Sequence, residues 1–107
     1  MKNYRLITAF LVLSLAAGGG YAQQGYPTKP IRLIVPFPAG GQTDVVARTV
    51  SLKLSEVFGQ QVIVDNRPGA AGSIGVELGL SSNPDGYTMI QISTSYAGNV
   101  ALYKLKY

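Results

Sequence analysis

The interpretation of the whole chain depends on one stretch, Ile31-Arg32-Leu33-Ile34-Val35-Pro36-Phe37-Pro38-Ala39-Gly40-Gly41-Gln42-Thr43-Asp44. Its first five residues are a mostly apolar run rich in β-branched side chains, which suits a buried strand. Pro36 and Pro38 then end the strand, because proline lacks the N–H that a ladder hydrogen bond needs. Thr43 or Asp44 is predicted to be a helix N-cap, since a short side-chain oxygen there can accept an orphan backbone N–H.

A strand, a glycine-containing first loop (residues 36–41) and a helix N-terminus are therefore predicted in succession. In an α/β sheet this junction lies at the carboxyl end of the strand, where ligands commonly bind. Free backbone N–H groups and the positive end of a helix dipole suit a carboxylate or phosphate. The alternative is that Gly40 and Gly41 only make a tight turn, and these residues alone leave both interpretations open.

Apolar residues at helical spacing follow the first loop and predict a helix over residues 43–58. The side chains predicted to face inward are Val46, Val50, Leu54, Val57 and Phe58. Gly59 is well placed to end this helix in a left-handed conformation. A second strand is predicted over residues 62–64.

A second loop (residues 66–73) repeats the design of the first, with proline, then glycine and alanine, then Ser73 as a predicted cap. The helix after it, residues 73–80, contains two glycines, which suggests close packing. A third strand is predicted over residues 87–93, followed by Thr94 and Ser95 in a loop and a short helix from Val100. The order β-α-β-α-β predicts a parallel sheet with its three loops at one edge.

Composition and the first residues narrow the class of protein. The chain has 107 residues, no cysteine, no histidine, no tryptophan and a formal net charge of +4. Lys2 and Arg5, an apolar run and a small-residue pattern ending at Ala22 predict a secretory signal peptide over residues 1–22, cleaved after Ala22. Export through this signal peptide makes the periplasm the expected location. The charges of the remaining residues are scattered rather than clustered, which excludes a nucleic-acid-binding surface.

Residues that could carry catalysis are missing or dispersed. A serine or cysteine triad is excluded without histidine and cysteine, and zinc sites lose their usual ligands. The five carboxylates show no paired spacing, and no lysine follows the glycines as a P-loop requires. We therefore expect no enzyme activity, no cofactor and no metal, and a binding role fits better.

Several separate motifs resemble one known family. Four segments of the chain resemble motifs of the Bug-type solute receptors and occur in the same order as in those proteins. They are residues 26–41 with Thr43-Asp44, Asp65-Asn66-Arg67-Pro68-Gly69-Ala70-Ala71-Gly72, Pro84-Asp85-Gly86-Tyr87-Thr88 and Ala101-Leu102-Tyr103. These are the substrate-binding proteins of tripartite tricarboxylate transporters. The resemblance covers essentially all of residues 26–107.

The resemblance implies a type II periplasmic binding protein-like α/β lobe, present in part, with a short parallel sheet and flanking helices. It implies a small carboxylate ligand, or an amino acid or amide, and membrane transporter subunits as partners of the full-length protein. The candidate ligand-binding residues are Phe37, Pro38, Ala39, Gly40, Gly41, Thr43, Asp44, Gly69, Ala70, Ala71, Gly72, Ser93, Thr94 and Ser95. Asp44 has an alternative role as a helix-start residue, since a carboxylate facing the site would repel an anion.

Length sets the expected organisation. Residues 23–107 would form the N-terminal portion of lobe 1, and the second lobe of a two-lobed receptor would be missing, because two lobes need roughly 300 residues. We expect either a fragment or a truncated gene product. The competing interpretation is a non-binding remnant or interaction module with no ligand of its own.

Overall fold

The computed structural model describes residues 25–102. The elements are β1 (Ile31–Val35), α1 (Gln42–Phe58), β2 (Val62–Asn66), a 3₁₀ turn (Ala70–Gly72), α2 (Ser73–Leu80), β3 (Thr88–Ile90) and α3 (Thr94–Leu102). The predicted signal peptide and Tyr103 of the Ala-Leu-Tyr motif lie outside the described residues. Within residues 25–102, no helix has the length and apolar character needed to cross a membrane.

The three strands form one parallel sheet in the order β2-β1-β3, which confirms the predicted β-α-β-α-β arrangement. Ile31 pairs with Val62 and Val35 pairs with Asn66, while Arg32 on the other side of β1 pairs with Thr88. Since β1 is central and helices flank the sheet, its apolar side chains are at most 5% exposed. The continuous apolar run in the sequence is thus the signature of the middle strand.

Side chains of β1 form the core with α1 on one side of the sheet and α2 on the other. On the α1 side, Leu33 and Val35 pack with Ala47, and partly buried Leu54 and Phe58 extend the cluster. On the α2 side, glycine allows the helix backbone to approach closely. A Cβ added at Gly75 would lie 2.6 Å from Pro36 Cβ and 2.7 Å from the carbonyl oxygen of Arg67. The expected close packing of the glycine-containing helix is confirmed.

The inward face of α1 differs from the prediction. Asp44, Ala47 and Ser51 are the buried residues of this helix, whereas Val46 is 48% exposed and Val57 is 70% exposed. Small side chains at the contact let the helix approach the sheet, and Ser51 donates its hydroxyl to the carbonyl of Arg48 at 2.9 Å, so its polar atom is satisfied. The apolar periodicity was therefore wrong for Val46, Val50 and Val57, whereas Leu54 and Phe58 are partly buried against the core as predicted.

The predicted helix starts and the predicted extent of the third strand also differ from the structure. The N-cap of α1 is Gly41 and that of α2 is Gly72, so Thr43, Asp44 and Ser73 are not caps and lie inside their helices. Gly59 does end α1, with φ of 64° and its N–H donated to the carbonyl of Ser55. Strand β3 spans only Thr88–Ile90, and α3 begins at Thr94 rather than at Val100.

An aromatic cluster holds the residues before β1 against the amino-terminal end of the sheet. The Tyr26 ring packs edge-on against Tyr87 at 5.1 Å and Phe58 at 6.5 Å between centroids, and its hydroxyl donates to the carbonyl of Gly86. The backbone N–H of Thr28 donates to the Tyr87 hydroxyl at 2.9 Å. Lys29 Nζ lies 4.6 Å from the centre of the Tyr87 ring. This N-terminal arm (residues 25–30) is therefore fixed at the end of the sheet remote from the first loop.

Candidate functional site

The first loop connects the buried end of β1 to the first turn of α1. Gly40 has φ of 84°, in the left-handed region that glycine adopts freely, and the chain then enters α1 through Gly41. The N–H groups of Gln42 and Thr43 have no partner within the helix, because the first turn of any α-helix leaves its amides unpaired. The loop therefore presents a helix N-terminus at the carboxyl end of the sheet.

A second helix N-terminus lies beside it. Gln91 donates its backbone N–H to the carbonyl of Ile34 at 2.9 Å, which continues the ladder beyond β3, and its side chain donates to the carbonyl of Thr43 at 3.2 Å. Residues 91–93 form the third loop, and α3 starts directly after it. Ser93 and Ser95 hydroxyl oxygens are 2.6 Å apart. Gln91 thus ties the third loop to the start of α1.

An open cavity of about 460 Å³ lies between these two helix starts, and we call it the loop cavity. Its lining residues are Phe37, Pro38, Gly41, Gln42, Thr43, Ser93, Thr94 and Ser95. None of these lining residues is charged, so the polar groups facing the cavity are hydroxyls, backbone groups and the Gln42 amide. A smaller cavity of about 320 Å³ adjoins it and shares Thr43 and Thr94.

Residues of the first and third loops that were predicted to bind ligand do come together. Seven of the fourteen candidates line the loop cavity, namely Phe37, Pro38, Gly41, Thr43, Ser93, Thr94 and Ser95, whereas Ala39 and Gly40 of the first loop do not. Gln42 also lines the cavity and is not among the predicted residues. Gln91 was missed, since it was assigned to the interior of a strand and its contact with Thr43 spans 48 residues.

The second loop supports the site from behind. Gly69, Ala70, Ala71 and Gly72 are not among the residues lining the loop cavity. Ala70 and Ala71 have φ of 47° and 55°, an uncommon left-handed pair for residues with a Cβ. A Cβ on Gly72 would lie 3.4 Å from the Tyr96 ring and 3.5 Å from the Phe37 ring, so this glycine lets the two rings approach.

Asp44 does not line the loop cavity. Its residue is 3% exposed, and its carboxylate accepts hydrogen bonds from Gly40 N–H at 2.8 Å, Arg48 Nε at 2.9 Å and Asn66 Nδ2 at 2.9 Å. Hydrogen bonds from Arg48, then Gly40, then Asn66 lower its pKa to about 2. Both carboxylate oxygens of Asp44 accept hydrogen bonds from within the protein, which favours the role of a helix-start residue over a ligand contact. The N–H of Gly40 is one of these donors and is therefore already paired.

Asn66, at the end of β2, is a second residue that sequence reasoning missed as a contributor. Its Nδ2 donates to the Asp44 carboxylate and to the carbonyl of Phe37 at 3.2 Å, and its Oδ1 accepts from Arg48 at 3.3 Å. We call Asp44, Arg48 and Asn66 the Asp44 network. The network joins β2, the first loop and α1 immediately behind the loop cavity.

The chemistry available at the loop cavity is hydrogen-bond donation to an anion. Two helix N-termini supply unpaired amides and the positive ends of two dipoles, and the hydroxyls add donors. Among residues 25–102 there is no group of three or more acidic side chains that could hold a metal ion. Arrangements of this kind bind carboxylates or phosphates through backbone groups.

Comparison with known proteins identifies the family. A model described as the tripartite tricarboxylate transporter family receptor matches residues 46–107. The chain belongs to this receptor family. BugT of Bordetella pertussis is 50% identical over 97 residues, which cover 89% of this chain and 30% of BugT.

Solved structures that are similar in sequence share the fold. A TctC solute binding protein from Polaromonas, solved without ligand, is 41% identical with a TM-score of 0.66, covering 76% of this chain and 29% of that one. An R. palustris protein solved with adipate is 42% identical with a TM-score of 0.60, covering 62% and 22%. The expected partial α/β lobe of periplasmic binding protein type is confirmed, and the chain spans less than a third of the length of these relatives.

Proposed function

We propose that the loop cavity is one wall of a binding site for a carboxylate group of a small ligand, in an extracytoplasmic receptor that supplies a tripartite tricarboxylate-type transporter. The observation that carries the proposal is the convergence of two helix N-termini, at Gln42 and Thr94, on one uncharged cavity. A carboxylate placed there accepts from amides that have no partner inside their helices.

Ligand size and class are consistent with this role. A volume of about 460 Å³ falls in the range of small-molecule sites, and the cavity is open on one side. Adipate, a dicarboxylate, is the molecule bound in one of the related structures. An amino acid or amide ligand remains compatible with the same wall, because its carboxylate or carbonyl oxygen would accept from the same donors.

The remaining parts of the proposal concern the whole protein. Residues 1–22 would direct export and be removed after Ala22, which places the mature chain in the periplasm. Residues 23–107 would be the N-terminal portion of lobe 1, and a second lobe would supply the opposite wall. The mass of the mature product in the producing cells tests both points, since retention of residues 1–22 would contradict the cleavage.

Binding is tested by titrating the purified protein with adipate and, as a neutral match, adipamide. We expect adipate above its Kd to raise the unfolding temperature with the logarithm of its concentration, and adipamide, which carries no negative charge, to have much less effect. A panel of other dicarboxylates, tricarboxylates and amino acids extends the test. Absence of any shift across this panel would contradict the proposal and favour the non-binding interaction module.

Gln42 offers a matched pair of variants that separates backbone from side chain. Gln42→Pro removes the helix-start N–H together with the side-chain amide, at a position where proline is tolerated because the preceding Gly41 already has extended φ and ψ of −76° and 171°. Gln42→Ala removes the same side-chain amide, so the two variants differ in the backbone N–H. We expect adipate affinity to fall about tenfold in Gln42→Pro and to change little in Gln42→Ala. Equal losses in both variants would show that the α1 amide does not bind the ligand.

A further inference from the structure

The first loop is held at both ends by side chains that do not reach the loop cavity. Near its start, the carbonyl of Phe37 accepts from Asn66 Nδ2 at 3.2 Å. Near its end, the N–H of Gly40 donates to Asp44 Oδ2 at 2.8 Å. The same Asn66 nitrogen donates to Asp44 Oδ1 at 2.9 Å, so one amide group connects the two attachments. Movement at either end of the loop would break a hydrogen bond in the Asp44 network.

Charge balance makes this arrangement compatible with an anion site. A carboxylate beside the first turn of α1 would repel a bound anion if it faced the cavity. The Asp44 side chain is only 4% exposed, and Arg48 pairs with it at 2.9 Å from the next turn of α1. The Asp44–Arg48 pair is therefore neutral overall, and the unpaired amides of Gln42 and Thr43 determine the local field at the cavity.

We propose that the Asp44 network is a positioning element, which holds the first loop in its binding conformation so that the α1 amides face the ligand. Asp44 and Asn66 act through the loop and touch no ligand themselves. The proposal rests on the proposed carboxylate function and adds to it the residues on which affinity depends from outside the cavity. Preorganisation of this kind raises affinity by removing the cost of ordering a loop upon binding.

Asp65 provides a matched control for Asp44. Like Asp44, Asp65 is a carboxylate paired with arginine, since Arg32 Nε donates to it at 2.7 Å and Arg67 Nε at 2.9 Å. It lies on the same strand as Asn66 but makes no contact with residues 37–41 among its hydrogen bonds and ion pairs. Loss of either aspartate therefore removes ion pairs, whereas only loss of Asp44 releases the loop.

The test compares Asp44→Ala, Asn66→Ala and Asp65→Ala with the unmodified protein in three measurements. These are the adipate Kd, the unfolding temperature and the backbone amide resonance of Gly40, with Gly59 as an internal reference. We expect Kd to rise about tenfold in the first two variants and less than about twofold in Asp65→Ala. The Gly40 amide proton should lose its downfield shift only in Asp44→Ala, while the Gly59 amide is unchanged in all three.

Each outcome has a defined meaning. Unchanged Kd in Asp44→Ala and Asn66→Ala, or an equal rise in Asp65→Ala, would overturn the positioning role and leave the carboxylate function standing. Failure of the unmodified protein to bind any carboxylate would overturn the proposed function. In that case the Gly40 resonance still decides whether the network holds the loop. If Asp44→Ala does not fold, Asn66→Ala carries the comparison, because it leaves the ion pair between Asp44 and Arg48 in place.

Discussion

At the scale of single residues, Asp44 combines near-complete burial with a retained charge. Its carboxylate accepts one backbone and two side-chain hydrogen bonds, and each of these favours the ionised form. A buried carboxylate without such partners would instead be protonated or strongly destabilising. Asp44 therefore depends on Arg48, Gly40 and Asn66, and the stability of the protein should depend on the ionisation of Asp44.

This dependence predicts acid sensitivity. The folded pKa of about 2 lies below the ordinary value of 3.8, so the unfolded chain binds more protons between these values and stability falls as pH falls. The contribution of Asp44 is complete above its ordinary pKa and is lost as pH decreases through about 2. We expect Asp44→Asn to be less stable than the unmodified protein at neutral pH, with the gap closing toward pH 2 in urea unfolding.

Asp65 supplies the check on that measurement. Partial burial acts to raise the pKa of the Asp65 carboxyl, but hydrogen bonds from Arg32 and Arg67 outweigh it and hold the pKa below its usual range. Asp65 is present in both proteins, so its own acid dependence cancels in the difference between them. A gap that stays constant from neutral pH to about 2 would contradict the role assigned to Asp44.

Alanine substitutions at Gly75 and Gly98 test how closely α2 approaches the sheet. Alanine favours a helix over glycine by about 1 kcal/mol, and this gain is available at both positions. A Cβ at Gly75 would meet Pro36 at 2.6 Å, whereas a Cβ at Gly98 has nothing within 4 Å. We expect Gly75→Ala to destabilise the protein by about 1–3 kcal/mol through overpacking, and Gly98→Ala to be neutral or stabilising, in thermal unfolding. Equal effects would show that α2 can shift away from the sheet.

At the scale of elements, the rotation of α1 is set by polar contacts rather than by its valines. The Asp44 network fixes the first turn, and Ala47 and Ser51 then follow on the same face at helical spacing. Val50 is consequently 43% exposed although it belongs to the more regular apolar pattern. The helix therefore buries its small residues and exposes its valines.

This rotation is tested by exchanging side-chain sizes on α1. Ala47 is fully buried against the sheet, so Ala47→Val should overpack the contact and lower the free energy of unfolding by about 1–3 kcal/mol. Val50→Ala should change it by less than about 1 kcal/mol, because the side chain is partly exposed and alanine is the better helix former. The opposite ranking in urea unfolding would mean that Val50 faces the core.

Local sequence was sufficient to predict much of the fold and part of the candidate site. The limits of α2, the position of β1 and the Gly59 helix end were predicted because each depends on neighbouring residues. The burial of Asp44 and the contribution of Asn66 depend on contacts across 22 residues, and the left-handed φ of Ala70 and Ala71 has no local signal. Residues that support the loops from behind were therefore the ones that sequence reasoning missed.

At the scale of the whole molecule, many large apolar side chains are exposed on several elements. Leu52 and Val57 on α1 are each 70% exposed, and Ile63, Leu80 and Leu102 are at least half exposed. Such surfaces favour association with other proteins or with further copies. We expect the 107-residue chain to self-associate with increasing concentration in sedimentation velocity, and Leu52→Lys with Val57→Lys to reduce this without lowering the unfolding temperature. A monomer at every concentration would contradict this expectation.

The fixed N-terminal arm has a practical consequence for attaching the protein to a surface. Tyr26 is held by Gly86, Tyr87 and Phe58 at the amino-terminal end of the strands, and the loop cavity opens at the opposite end. A tether joined ahead of Tyr26 therefore emerges from the side facing away from the cavity. Immobilised through that point on a biosensor chip, the molecule would present its cavity to the solution.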